Sequence, residues 1–136
     1  MARFFAFEGL EMRFDAGVLE IAVSGERLPD SAPQSANMVG LMVRSNPVDG
    51  AMSDIRDASF PLTDLEVEER AAIMARQMAG LPVASVSRKD QVREVNLFTK
   101  AFERQGVEVR DFRYVSEARD WLRRAIAERR ARKTGT

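Results

Sequence analysis

Apolar positions along the chain recur with two different periods. Met12 and Phe14 alternate with Glu11 and Arg13, and Leu19, Ile21 and Val23 alternate with Glu20 and Ala22. A period of two predicts strands with one face toward a core. Asp15-Ala16-Gly17 between the two runs predicts the turn of a hairpin over residues 12–23. Phe4, Phe5 and Phe7 precede the hairpin, and two options stay open for them: a further edge strand, or a segment packed over the sheet.

The helical period then takes over. In Leu28-Pro29-Asp30-Ser31-Ala32-Pro33, Asp30 or Ser31 is placed to cap a helix, with Pro33 in a first turn whose N–H groups lack intrahelical partners. That helix carries Met38, Val39, Leu41, Met42 and Val43, and Asn46-Pro47 ends it because the residue before proline is driven out of the α region. Residues 53–63 predict a central strand, a proline loop and a helix starting at Thr63, where Thr63 and Glu66 form a capping-box pattern. Val67, Ala71, Met74 and Met78 make its apolar stripe, and Gly80 stops it. Leu81 to Val86 predicts a short buried strand. Asp90 is placed to cap a third helix bearing Val92, Val95, Phe98 and Phe102, which Gly106 ends. Val107 to Phe112 alternates as a strand, and Ser116 heads a fourth helix with Ala118, Trp121, Leu122, Ala125 and Ile126 on one face.

The order is ββαβαβαβα. Three strand–helix–strand crossovers require parallel strands and right-handed connections, while the hairpin makes the sheet mixed. The expected fold is α/β: one domain over residues 1–130, a single-layer mixed sheet of about five strands with four helices, and a frayed basic tail at 131–136.

Composition narrows the chemistry. The chain has 136 residues, 45% apolar and 31% charged, which suits one folded domain. Lys plus Arg and Asp plus Glu are 21 each, so no global field points to nucleic acid or an anionic membrane. Arg119, Arg123, Arg124, Arg129, Arg130, Arg132 and Lys133 gather near the C-terminus, where they suit the negative end of a helix dipole. There is no Cys and no His, which excludes disulfides, thiolate nucleophiles, histidine acid–base catalysis and nearly all structural zinc sites. No loop has the spaced acids of a calcium site, and no cofactor is expected. No apolar run nears the roughly 18 residues that span a bilayer, and Met1 to Glu8 is too short for a signal segment, so the expected location is the cytoplasm.

Asp54 and Arg56 share one face of the central strand. A buried parallel strand would be almost continuously apolar. The pair therefore reads as a partly wet ion pair, or as a ligand-binding pair in which Arg56 grips a carboxylate or phosphate. Ser87-Arg88-Lys89-Asp90 leads into the third helix, where N–H groups and two cations suit an anion; a solvated turn with an Asp cap is the simpler alternative. Arg110, Arg113 and Tyr114 close the last strand. Together Asp54, Arg56, Asp57, Arg88, Lys89 and Arg113 are the candidate rim for a ligand or partner, at the carboxyl ends of the strands where open α/β sheets bind. Met12, Met38, Met42, Met74 and Met78 sit at core spacing; a soft surface for a partner or apolar ligand is the other option.

Gly17-Val18-Leu19-Glu20-Ile21-Ala22-Val23-Ser24-Gly25, Asp54-Ile55-Arg56-Asp57, and Val109-Arg110-Asp111-Phe112 with Glu117-Ala118-Arg119-Asp120-Trp121-Leu122 carry a resemblance. In this order, over roughly residues 11–128, the chain resembles the STAS superfamily, and within it the SpoIIAA-like (STAS/SEC14-type) bacterial proteins. The resemblance implies a non-enzymatic bacterial regulatory or binding module in the cytoplasm. Its partner would be a protein or a small anionic or lipid-like ligand, the lipid being suggested by the SEC14-type proteins alone; a homodimer is a further option. In anti-sigma-factor antagonists of this superfamily a phosphorylatable serine starts the helix after the central strand, usually within Asp-Ser or Asp-Ser-Ser followed by Gly. Here Ala58-Ser59-Phe60-Pro61-Leu62-Thr63-Asp64-Leu65 stands in that place. Ser59 and Thr63 are thus the candidate phosphosites, although Asp-Ser-Gly is absent and the carboxylate follows Thr63 instead of preceding it. A plain capping role is the alternative for Thr63, since Asp64 and Glu66 oppose a phosphate. A small carboxylate-dependent enzyme using Asp54, Asp57 and Asp64 is the remaining alternative, with no nucleophile–base pair in view.

Overall fold

The computed structural model describes residues 3–7 and 9–135. The elements are β1 (Arg3–Phe7), β2 (Leu10–Asp15), β3 (Val18–Glu26), a 3-10 turn (Pro29–Ser31), α1 (Ala32–Ser45), β4 (Gly50–Ser59), α2 (Asp64–Gln77), β5 (Val83–Val86), α3 (Val92–Arg104), β6 (Val109–Phe112) and α4 (Val115–Gly135). The strands lie in the sheet in chain order, β1 to β6. β1 with β2 and β2 with β3 pair antiparallel, and β3 to β6 pair parallel. The α/β mixed sheet is therefore the expected one, with the Phe4, Phe5 and Phe7 segment added as a sixth strand at its edge. The β2–β3 turn puts Ala16 at φ 51° and Gly17 at φ 82°. Two positive φ values in a two-residue loop match the right-handed twist of the strands it joins.

Three of the expected caps differ. The Ser31 hydroxyl donates to the Leu28 carbonyl (2.9 Å) and makes no capping bond to α1, and Asp30 lies in the 3-10 turn. Gln91, not Asp90, precedes α3, while Asp90 pairs with Arg88. α4 starts at Val115, so Ser116 lies inside its first turn, and the helix runs to Gly135, past the expected tail boundary at 130.

Sheet growth in one direction decides where the helices go. Each parallel connection is right-handed, so α1, α2 and α3 all fall on the same face. There Val39, Met42, Ala71, Ala75, Met78, Ala101 and Phe102 pack on Leu10, Met12, Leu19, Ile21, Ala51 and Val83. α4 follows the last strand and takes the other face, where Ala118 and Leu122 pack on Met52, Ala84 and Val86. Next to α4, that face carries the polar positions of the hairpin, including exposed Glu11, Arg13 and Ala22. Alternation of this kind is what lets one side of an antiparallel sheet face water.

β4 is ten residues long and β5 is four. β3 accompanies β4 to Ser59, but β5 pairs only with Ala51 to Asp54. The backbone beyond Asp54 thus needs other partners on its β5 side. Gln91 supplies them. Its buried amide donates to the carbonyls of Ile55 (2.9 Å) and Ala58 (3.1 Å), and its own carbonyl accepts the Arg88 N–H (2.8 Å). One side chain stands in for the missing stretch of strand. Gln91→Leu should therefore cost about 2–4 kcal/mol, since two buried acceptors and one donor lose their partners. Urea unfolding monitored by circular dichroism measures it; a change below about 0.5 kcal/mol would contradict this role.

Candidate functional site

The site grows out of the β4 overhang. Ala22 lies opposite Asp54, but Ser24 lies opposite Asp57, so β4 carries one extra residue in this interval. Such a bulge breaks strict alternation and re-aims the side chains beyond it. Asp57 and Ser59 are exposed, while Ala58 and Phe60 turn inward. Phe60 meets the edge of Phe98 in a T-shaped contact, with centroids 5.2 Å apart and planes at 80°. The Ser59 carbonyl accepts the Arg27 N–H (2.9 Å). After Pro61 the chain turns, and Thr63 takes an extended conformation (φ −69°, ψ 162°) as the cap of α2. Both arms of the capping box form: the Thr63 hydroxyl accepts the Glu66 N–H (3.2 Å), and the Glu66 carboxylate accepts the Thr63 N–H (2.9 Å).

Arg93 of α3 latches this junction. Its guanidinium donates to the carbonyls of Phe60 and Leu62 (3.0 Å each), to Asp64 (2.9 Å) and to Glu94 (3.1 Å). The Asp64 hydrogen bond, followed by the Glu94 bond, holds the Arg93 pKa above its usual value against a partial loss of hydration. Sequence reading missed Arg93, because its acceptors are backbone carbonyls about thirty positions away and leave no trace in a side-chain pattern.

The expected rim residues sit at the carboxyl ends of the strands, but on two faces. Arg56 grips Asp54 in a fork, Nε to Oδ1 (2.9 Å) and Nη2 to Oδ2 (2.7 Å), and its backbone N–H joins in at 3.1 Å. That hydrogen bonding raises the Arg56 pKa. The pair lies on the α4 side, two and four residues along from Met52. Arg113 instead reaches Asp111 and the Ser87 hydroxyl (2.8 Å to Ser87), and the Ser87 hydroxyl donates to Asp111 (2.9 Å). Asp111 alternates with Phe112, which packs against Trp121 of α4, so this cluster lies toward the α1–α3 side. Arg88 pairs with Asp90 (2.9 Å), and Lys89 between them is exposed. Each rim arginine is therefore bound to a carboxylate two residues away. Asp54 and Asp64 are each held by an arginine, and among the described residues no group of three or more acids is arranged to hold a metal ion. Among the described residues no helix is long and apolar enough to cross a membrane.

Two further charged features escaped the sequence reading. Arg119 of α4 forks onto Glu20 of β3 (3.1 and 3.0 Å), and Arg13 reaches the same carboxylate (3.2 Å). The Glu20 bond raises the Arg119 pKa. A shallow groove of about 170 Å³ runs beside this pair, bordered by Glu11, Ala22, Asp54 and Val115. The partners are 99 residues apart, so no local spacing reveals them. Arg70 of α2 is buried within the helix's apolar stripe. A charge on such a stripe was a visible signal.

Two substitutions separate cap from latch. Thr63→Ala should cost about 1 kcal/mol of global stability, the ordinary worth of an N-cap. Arg93→Met should leave global stability within about 1 kcal/mol, because the pairs are half-exposed, yet speed amide exchange at Leu62 and Thr63 on the order of ten-fold. Hydrogen-exchange NMR distinguishes them; unchanged exchange in Arg93→Met would remove the latch.

No protein-family model matches the chain, and no curated protein matches its sequence. Among solved structures it is similar to an anti-sigma factor antagonist from Mycobacterium paratuberculosis. The two are 16% identical with a TM-score of 0.58, over 90% of this chain and 95% of that one. The likeness extends over nine-tenths of this chain, and the fold it shows is a STAS-like (SpoIIAA-like) α/β fold.

Proposed function

We propose that the protein is a non-enzymatic regulatory module that docks a protein partner at the β4–α2 junction, in the manner of an anti-sigma factor antagonist. The observation that carries this reading is the surface around Thr63. Thr63 is exposed at the start of α2, and two large apolar side chains stand in water near the junction, Leu65 on α2 and Leu28 next to Arg27, whose N–H donates to the Ser59 carbonyl at the end of β4. Leu65, in the first turn of α2, is 63% exposed. Leu28 is 54% exposed, and its carbonyl is bound by Arg70 of α2 (2.8 Å). Apolar chains held out by a rigid backbone are what interface hot spots are made of. The Arg93 latch and the capping box fix the junction before a partner arrives, so docking loses little ordering entropy. The near end-to-end likeness to an anti-sigma factor antagonist supports an anti-sigma factor as the partner.

The junction also favours Thr63 over Ser59 as a switch hydroxyl. A phosphate on Thr63 would meet the positive end of the α2 dipole, and Arg93 is already directed at neighbouring Asp64. It would also stand beside Asp64 and against the Glu66 carboxylate, so the capping box would open and the first turn carrying Leu65 would shift. The modified form would therefore bind its partner less well.

The test places a photocrosslinking residue at position 65 in the native cell and identifies the captured protein by mass spectrometry. Binding of the purified pair is then compared for the wild type, Leu65→Asp and Thr63→Glu. An anti-sigma factor is the expected capture. Leu65→Asp should weaken binding about ten-fold or more with an unchanged circular dichroism spectrum, and Thr63→Glu should weaken it too. Binding unaffected by Leu65→Asp would overturn the docking surface. Unchanged binding in Thr63→Glu, with no phosphate on Thr63 in native material, would remove the switch.

A further inference from the structure

Between the sheet and the α1–α3 layer lies a cavity of about 70 Å³. Val23, Ile55, Phe60, Met74 and Phe98 make most of its wall apolar. Arg70 is the one charged side chain among its described lining residues, and it is 8% exposed. Helical spacing places it there: it lies three residues past Val67 and four before Met74, on the stripe that faces the core.

The surroundings of Arg70 are unusual for a buried cation. Its guanidinium donates to the Leu28 carbonyl (2.8 Å) and to the Ser31 hydroxyl (3.3 Å). No carboxylate among the described residues lies within ion-pair distance of it. Loss of hydration, and then the nearby positive charge of Arg27, lower its pKa to about 10. Two of its five N–H donors are directed at the Leu28 and Ser31 oxygens of the loop before α1. Burying a cation with no anion beside it costs several kcal/mol, and Leu or Met at this position would cost nothing of the kind. An occupant anionic at one end and apolar at the other matches both the buried guanidinium and the mostly apolar wall.

We propose that this cavity binds a small aliphatic monocarboxylate, with its carboxylate on Arg70 and its tail among Phe60, Met74 and Phe98. The planar carboxylate matches the guanidinium fork. A carboxylate matches the one guanidinium on the described wall, whereas a phosphate dianion would bring a second negative charge into a mostly apolar space. Ser35 and Ser53 also line the space. The Ser35 oxygen accepts from Arg27 (3.2 Å), which leaves its O–H to donate to an anion. A space of about 70 Å³ takes no more than a short tail, so a longer one enters only as the unbranched Met74 side chain yields. The site shares Arg70 with the docking surface through the Leu28 carbonyl, but Leu65 and Met74 each belong to one of them, so substitutions at those two positions test the sites apart.

The probes are butyrate, hexanoate and octanoate, each compared with the alcohol of the same chain length. They are titrated into protein carrying ¹³C-methyl methionine and followed by NMR. At least one carboxylate should shift the Met74 methyl signal saturably, with a Kd about ten-fold or more below that of its alcohol. Arg70→Met should abolish the preference for carboxylate over alcohol. Met74→Trp should fill the space and abolish binding while the circular dichroism spectrum stays that of the folded protein. If Arg70→Met does not fold, Arg70→Lys should weaken carboxylate binding by losing the fork. No saturable shift with any carboxylate, equal binding of acid and alcohol, or binding that survives Met74→Trp would each overturn the proposal.

Discussion

The mismatch in length between β4 and β5 is the constraint on which the rest of the molecule depends. Five residues of β4, Ile55 to Ser59, run on past the last pairing with β5. Their outward-facing backbone groups sit at the end of a buried strand, where an unpaired carbonyl is costly. Gln91 and Arg93 meet that need from the start of α3, two positions apart. The amide bonds the strand itself and the guanidinium bonds the loop beyond it. The position of α3 therefore sets the course of the chain from Ile55 to Asp64. That course sets where α2 begins and which way its first turn faces.

The same sheet explains why the two faces differ. Adding parallel strands in one direction sends three helices to one side and leaves α4 alone on the other. On the three-helix side a small space remains between the helices and the sheet. On the α4 side the hairpin keeps a polar surface, and α4 is tied to it by the Arg119–Glu20 fork. Glu20 is mostly covered and forms an ion pair with Arg13 as well, so this is a small network and not a lone surface pair, which would contribute little. It holds the start of α4 against β3, at the opposite face from the α2 junction.

What could be read in the sequence was whatever is decided locally. The hairpin turn, the strand and helix periods and the Thr63–Glu66 capping box each depend on residues within a few positions of one another, and each is present. The Asp54–Arg56 pair belongs to this class, because a spacing of two puts both side chains on one face of a strand. Arg88 with Asp90 and Arg113 with Asp111 share that spacing. β1 was undecided because Phe4, Phe5 and Phe7 do not alternate. Asp90 looked like a cap because it is the better capping residue type. Gln91 precedes the helix instead because carbonyls more than thirty residues earlier needed its amide. Arg93 and Arg119 answer to the same kind of distant demand.

Arg70 joins these threads, since it touches both regions of interest. It lines the cavity and binds the carbonyl of Leu28, one of the two exposed apolar residues at the junction. Phe60 does likewise: its ring lines the cavity and its carbonyl is held by Arg93. The interior space and the outer surface are thus two sides of one thin wall. Residues that share partners do not contribute additively. A change at Phe60 or Arg70 acts on both sides at once, whereas Leu65 and Met74 each belong to one side alone. That division of residues is what makes the two sites separable by substitution even though they are built on the same wall.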